Sequence, residues 1–407
     1  MTAAVVTAAK PVIARWQSDR RQVILTLAGV AVVLAASTLF VWALHHELEG
    51  ALSPKAFRWA LLYALIPVVP LSAFFIWLDR LRPEPVGWLV VAMLWGALGA
   101  AYFSLQLNGW LAKEIGDVYG NTPRAAVYVA PWVEETMKAA VIFLIVLVRR
   151  HRFNAIVAGV VYGGLVGVAF ACTENILYYG QAYQATIRLG GTPSDALNQV
   201  QQVFEWRGLE TPFVHSMFTM MTGLGVGLAV RYRHLGVRLF APVAGFCVAV
   251  LLHMGFNGIV SFISEGNLAS VYVPILLPTL LGLIAIVLLV RRYERRVVRA
   301  RLHDYTSFGW LRPDHVDFIA TWAGRRRARS YARAFGKAER RRVRAFQRTG
   351  TDLGILRDRM VRGVAGPKDL PRERALIQAM RDFRGRVMLP GISETPLDRR
   401  TPATSSW

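Results

Sequence analysis

The sequence predicts an all-α, polytopic membrane protein with about eight transmembrane helices and a basic cytoplasmic helical tail. Three observations predict it. Hydrophobic residues make up 54% of the 407 residues, and the mean hydropathy is positive, which is more apolar than an ordinary soluble domain. Eight apolar stretches approach the roughly 20 residues needed to cross hydrocarbon. The net charge of +22 is uneven: from Arg291 onward 29 Lys/Arg face 12 Asp/Glu, leaving +17 in that part of the chain. The expected domains are a cytoplasmic segment over 1–22, a transmembrane helical domain over 23–293 and the basic tail over 294–407.

The apolar stretches lie near 23–44, 58–78, 86–107, 126–148, 155–179, 211–230, 239–263 and 271–290. The first follows Lys10, Arg15, Arg20 and Arg21, as a signal peptide would. Its apolar run exceeds the roughly 7–15 residues of a signal core, and no small-residue cleavage site follows it, so it reads as an uncleaved helix. Arginines mark alternate connections: Arg80 and Arg82, then Arg149, Arg150 and Arg152, then Arg231, Arg233 and Arg238, then Arg291 and Arg292. The other connections carry acids such as Glu47, Glu49, Glu114 and Asp117, with Lys55 and Arg58 as exceptions. The positive-inside rule then puts both termini in the cytoplasm of a multi-pass cell-membrane protein.

Within these elements, Gly159, Gly163 and Gly167 recur every four residues, and Gly223 and Gly227 do the same. Such spacing lets helix backbones approach closely in lipid and reads as packing. Pro131 removes a backbone hydrogen bond one turn before Glu134, predicting a bend or local opening. The polar connection from about Gly180 to Glu210 reads as an ordinary outer loop rather than a lid. In the tail, Arg312-Pro313-Asp314 opens one helix, a second runs from about Lys337 to Arg362 and a third follows Pro371. No zinc-finger, P-loop or RNA-binding signature appears in it. Specific nucleic-acid binding is therefore not expected, and the anionic lipid surface is the nearer partner for so basic a segment. Cys172 and Cys247 lie in apolar stretches and read as packed thiols; His151 and His234 sit beside arginine-rich connections and carry no functional reading.

The candidate chemistry lies in four clusters inside four consecutive apolar segments: Glu134, Glu135 and Lys138; Glu174 and Asn175; His215; and His253 with Asn257. Ionisable groups are costly in hydrocarbon and there line polar cavities or reaction sites. A helix rise of about 1.5 Å per residue puts Glu134 and Glu135 roughly 12–14 Å from the outer end, Glu174 roughly 8 Å, His215 roughly 6 Å and His253 roughly 15 Å. All fall in the outer half of the bilayer. Lys138 lies within pairing distance of both Glu134 and Glu135, and His253 shares a face with Asn257. Phe170, four residues before Glu174, places an aromatic ring near that carboxylate. Three carboxylates against one ammonium leave about two excess negative charges, so a divalent cation or a retained proton is expected. Glu135, Glu174, His215 and His253 would suit Zn2+ with one position open to water. A carboxylate–histidine pair activating water without metal, with Asn257 and the other histidine stabilising an oxyanion, fits equally well.

These motifs, Glu134-Glu135-Thr136-Met137-Lys138, Phe170-Ala171-Cys172-Thr173-Glu174-Asn175, His215 and His253-Met254-Gly255-Phe256-Asn257, resemble the PrsW family of intramembrane proteases, related to the group that includes the CAAX prenyl proteases. The resemblance covers roughly 60–293 and leaves the tail outside. Glu174 stands where the wider group often has His, as in the PrsW branch. The resemblance implies peptide-bond hydrolysis in or near the membrane, with a membrane-anchored protein as substrate, an anti-sigma factor being one such class. Two other classes remain open: a proton-coupled transporter, against which stands the lack of an inverted repeat, and a non-catalytic scaffold recruiting partners through the tail.

Overall fold

A computed structural model describes residues 52–119, 124–149, 153, 156–262 and 272–392, together with four positions between 31 and 41. The expected span at 23–44 lies outside the described residues apart from those four. Every described element is helical, and no strand occurs among the described residues. The described residues fall into two compact units that divide between Arg291 and Arg292.

In the first unit, α1 runs Pro54–Leu78, with Ser53 accepting from the Ala56 amide and Pro54 in the first turn. α2 (Val86–Leu94) passes through a π-helical turn, Trp95–Ala100, into α3 (Ala101–Tyr119). α4 (Arg124–Tyr128) and α5 (Ala130–Arg149) are separated at Val129, two residues before Pro131, so the expected opening is a break between two helices. α6 spans Ile156–Arg188, α7 Pro193–Phe204, α8 Val214–Arg231 and α9 Leu235–Phe262. Six helical stretches among the described residues are long and apolar enough to cross a membrane. α5, at 20 residues, is also long enough, but Glu134, Glu135 and Lys138 dilute its apolar character. Large apolar side chains such as Val69, Leu147, Phe240 and Leu251 point outward, as lipid-facing surfaces require. This is a multi-pass membrane protein.

α6 is buried over nearly its whole length and is the centre of the unit. α8 packs between α6 and α9. The glycine stripe explains the closeness: a Cβ on Gly159 would lie 2.0 Å from the Gly223 carbonyl oxygen, one on Gly163 2.6 Å from the Thr219 carbonyl oxygen, and one on Gly167 2.5 Å from the His215 carbonyl oxygen. Gly225 and Gly245 play the same part between α8 and α9. Backbone against backbone at these positions leaves the side chains one or two turns away facing each other across the helices. At the arginine-bearing end, Arg149 pairs with Glu84, and the Tyr162 hydroxyl accepts from Arg149 at 2.8 Å and donates to Glu84 at 3.1 Å.

The connection at 180–210 is not a loop. α6 continues to Arg188, Gly190 turns the chain with φ +86°, and α7 starts at Pro193 under a capping box of Thr192 and Asp195. A π-helical turn, Glu205–Glu210, then leads toward α8. Ala196, Val200 and Phe204 bury against Leu52, Ala56, Ala60, Tyr179 and Tyr183. That apolar face made the connection a packed element, and the Thr-Pro-x-Asp start signal was there to be read.

The helix α10 runs Leu277–Ser307. The second unit adds α11 (Pro313–Ala320), α12 (Trp322–Tyr331), α13 (Gly336–Val361) and α14 (Asp369–Phe383). It has its own buried residues, including Val298, Leu302, Tyr305, Ile319, Val343, Phe346, Leu353, Leu356 and Met380. α12 is an element the apolar periodicity did not announce. Thr321 caps it by accepting from the Gly324 amide, and Arg325 is buried beneath it, donating to the Ile319 carbonyl and the Thr351 hydroxyl.

Candidate active site

Four helices supply the site. Glu134, Glu135 and Lys138 come from the first turns of α5, Glu174 and Asn175 from α6, His215 and Thr219 from α8 and His253 from α9. The site lies toward the end of the bundle away from the Arg149 and Arg231 helix ends. Glu135 and Lys138 are fully buried, and Glu134, His215 and His253 are nearly so.

Lys138 is the hub. Its Nζ donates to Glu135 Oε1 at 2.9 Å, His215 Nδ1 at 3.1 Å and Glu134 Oε2 at 3.4 Å, which uses all three of its protons. It also lies 3.7 Å from the centre of the Phe170 ring, a cation–π contact. The aromatic ring expected near Glu174 thus serves the lysine and packs against His215. Glu135 accepts further bonds from the Thr219 hydroxyl at 2.9 Å and from His253 Nδ1 at 3.2 Å. Glu134 meets Asn108 Nδ2 at 3.4 Å and His253 Nε2 at 3.7 Å.

These partners set the histidine tautomers. Carboxylates face both nitrogens of His253, but only Glu135 is at hydrogen-bond distance, 3.2 Å from Nδ1 against 3.7 Å from Nε2 to Glu134, so the neutral ring carries its proton on Nδ1 and leaves Nε2 toward Glu134. Lys138 can only donate, so His215 accepts at Nδ1 and carries its proton on Nε2, which lies 2.7 Å from Glu174 Oε2. Each histidine therefore has a carboxylate behind its far nitrogen, the arrangement that orients metal-binding imidazoles elsewhere. One donor atom from each of Glu134, His215 and His253 lies within 4.8 Å of the others. Two imidazoles and one carboxylate form a donor set suited to a catalytic divalent cation. The donor types fit a metal, but Lys138 Nζ now sits against two of the three, so a bound ion would require it to turn aside toward Glu135.

The sequence predicts Glu135, Glu174, His215 and His253 as ligands; Glu135 and Glu174 lie behind the two histidines, and the donor atoms within 4.8 Å of one another come from Glu134, His215 and His253. The charge count changes too. Arg207, on the π-helical turn after α7, donates to Glu174 Oε2 at 2.5 Å and to Asn175 Oδ1 at 2.8 Å. Three carboxylates thus face two cations. Asn257 stands apart: its amide donates to the Ala126 carbonyl at 2.9 Å, tying α9 to α4. Asn108, Thr219 and Arg207 were missed. Thr219 lies one turn beyond His215 and was findable by helical spacing; Arg207 was hidden because its segment read as a loop.

A family model described as PrsW family intramembrane metalloprotease matches residues 84–283. Those residues, just under half of the chain, are similar to the PrsW family. Comparison with curated proteins and with solved structures finds no match. The PrsW-family segment contains every residue of the cluster just described and ends before the basic tail. The match supports a membrane protease.

Proposed function

We propose that this chain hydrolyses a peptide bond of a membrane-anchored protein near the outer leaflet, using Glu134, His215 and His253 as the groups that face the reacting atoms. The observation that carries the reading is the convergence of the Glu134 carboxylate and the two histidines, each histidine backed by its own carboxylate, inside a buried cluster. Glu134, His215 and His253 would hold a divalent cation such as Zn2+. Such a cation supplies Lewis acidity toward a peptide carbonyl and makes water a better nucleophile at neutral pH. Glu135 keeps His253 in the Nδ1–H tautomer, and Glu174 does the reverse for His215. Glu134 is the carboxylate with the longest hydrogen bonds, 3.4 Å to both Lys138 and Asn108, and so is the one freest to accept the proton of the attacking water. Lys138 offsets the charge of the carboxylates. Its charge also supports a metal-free variant, in which its proton now given to Glu134, the longest of its three contacts, turns to a developing oxyanion. The outer-leaflet position follows from the arginine asymmetry, and an anti-sigma factor is one substrate class that the family implies.

The test is cleavage of a panel of single-span proteins by the purified full chain in proteoliposomes, with zinc measured by elemental analysis. Wild type should cleave at least one, while Glu134→Gln and His253→Ala lose turnover by roughly a hundredfold or more. Stoichiometric zinc favours the metal variant. Mutants as active as wild type would remove these residues from the chemistry, and a proton-coupled flux without cleavage would replace the reading by transport.

We also propose that α13 contacts anionic lipid. Lys337, Arg341, Arg344 and Arg348 are exposed, and their spacing places them within a narrow arc of the helix. From 318 to 351 the one acid, Glu339, is buried and taken up by Arg342 and the Met388 amide. Rows of phosphates are the complementary surface.

A further inference from the structure

Arg207 is held on three sides by α6. Its Nη2 donates to Glu174 at 2.5 Å, its Nε donates to Asn175 at 2.8 Å, and its guanidinium carbon lies 3.8 Å from the centre of the Tyr178 ring. A planar fork with these three contacts has little rotational freedom, which a lysine at the same place would keep. The Glu174 oxygen that Arg207 grips, Oε2, is the same one that lies 2.7 Å from His215 Nε2. Arg207, Glu174 and His215 therefore form a line that ends at the His215 Nδ1 lone pair inside the cluster. A cavity of about 10 Å3, lined by Arg207, Asn175, Thr211 and Phe256 among others, adjoins His215, which is room for about one water. Arg207 stands at this cavity, so the carboxylate behind His215 is the one nearest to water and the one in need of an anchor. Glu135, behind His253, is fully buried and has Thr219 and Lys138 for that purpose.

We propose that Arg207 is a positioning residue for the proposed hydrolysis: it fixes Glu174, and through it the orientation and tautomer of His215. The inference rests on the proposed role of His215. A second view of the same contacts is a clip that only fastens the π-helical turn to α6. The two differ in what they move. A clip governs thermal stability. A positioning residue governs turnover at saturating substrate and the hold on metal, with substrate affinity little changed.

The experiment uses the full chain in detergent, with a cleavable single-span substrate and zinc retention measured against a graded chelator. Arg207→Gln should lower kcat by tenfold or more with KM within about threefold, and should weaken zinc retention by roughly ten- to a hundredfold, the usual cost of losing an outer partner of a ligand. Arg207→Lys should recover part of both, since an ammonium reaches Glu174 but cannot also reach Asn175. Combining Arg207→Gln with Glu174→Gln should be no worse than Glu174→Gln alone, because the two act in one line. Wild-type kcat and zinc retention in Arg207→Gln, or effects that multiply in the double variant, would overturn the proposal. If Arg207→Gln does not fold, Arg207→Lys and Asn175→Ala decide: lowered thermal midpoints with unchanged kcat mean a clip. Glu134→Gln separates the two readings. If it is inactive while Arg207→Gln is normal, only the present inference falls; if it cleaves normally, the proposed function falls.

Discussion

Glu134 and Glu135 are neighbours in the chain but point about 100° apart on their helix, and they meet different surroundings. Glu135 spends its oxygens on Lys138, Thr219 and His253 with no exposure at all. Glu134 has longer contacts to Lys138, Asn108 and His253. Two substitutions that remove the same charge should therefore act differently. Glu134→Gln is expected to abolish turnover while leaving the thermal midpoint near that of wild type. Glu135→Gln leaves Lys138 without its nearest counter-charge. Breaking such a buried pair costs about 3 kcal/mol, so this variant should lose stability as well as activity. Paired thermal melts and cleavage rates check the contrast, and equal melting losses in both would refute the division of roles. Cys172→Ser, away from the cluster, should be nearly silent.

At the level of helices, the α6–α8 contact decides whether Glu174 can reach His215 at all. The two helices meet backbone to backbone at Gly159 and Gly223, and a methyl at either would overlap a carbonyl oxygen that has no room to yield. Gly159→Ala should cost about 3 kcal/mol or more and reduce cleavage through helix separation. Gly282→Ala is the matched control, since a Cβ there meets nothing within 4 Å and alanine is the better helix former. Thermal unfolding in detergent measures both, and equal behaviour would mean that close packing is not what holds these helices. On α13 the expected outcome is electrostatic. A fragment of residues 294–407 should bind anionic vesicles, lose that binding steeply with salt, and lose most of it when Lys337, Arg341, Arg344 and Arg348 are changed to Glu. Equal binding to neutral vesicles would count against the phosphate-row reading.

For the whole chain, orientation in the membrane decides which compartment supplies the substrate. The cluster lies away from the helix ends that carry Arg149 and Arg231, and the outer-half position we propose for it rests on the arginine asymmetry. Reporter fusions after Arg150 and after Arg292 should be active in the cytoplasm, and fusions within 185–205 should be inactive there. A cytoplasmic 185–205 segment would invert the molecule and move the proposed cleavage to the inner face.

What the sequence by itself determined is local or additive. Apolar run length, the arginine bias, the pairing of Lys138 with both glutamates and the four-residue glycine spacing follow from helix rise and turn, which any stretch carries within itself. So does the choice of four segments for the chemistry, because an ionisable group in hydrocarbon is costly wherever it stands. The tertiary structure decided the rest. Which glutamate faces the histidines depends on how α5 is rotated against α8 and α9, and side-chain packing sets that rotation. Arg207 reaches Glu174 across 33 residues of sequence because α7 has an apolar face to bury against α1 and α6, so a connection that read as polar folds back over the site. Asn257 shares a helical face with His253, yet it leaves the cluster because its amide donates to the Ala126 carbonyl on the short helix α4. Unpaired backbone groups are satisfied by whatever the packing brings near them, and only the folded chain contains that information.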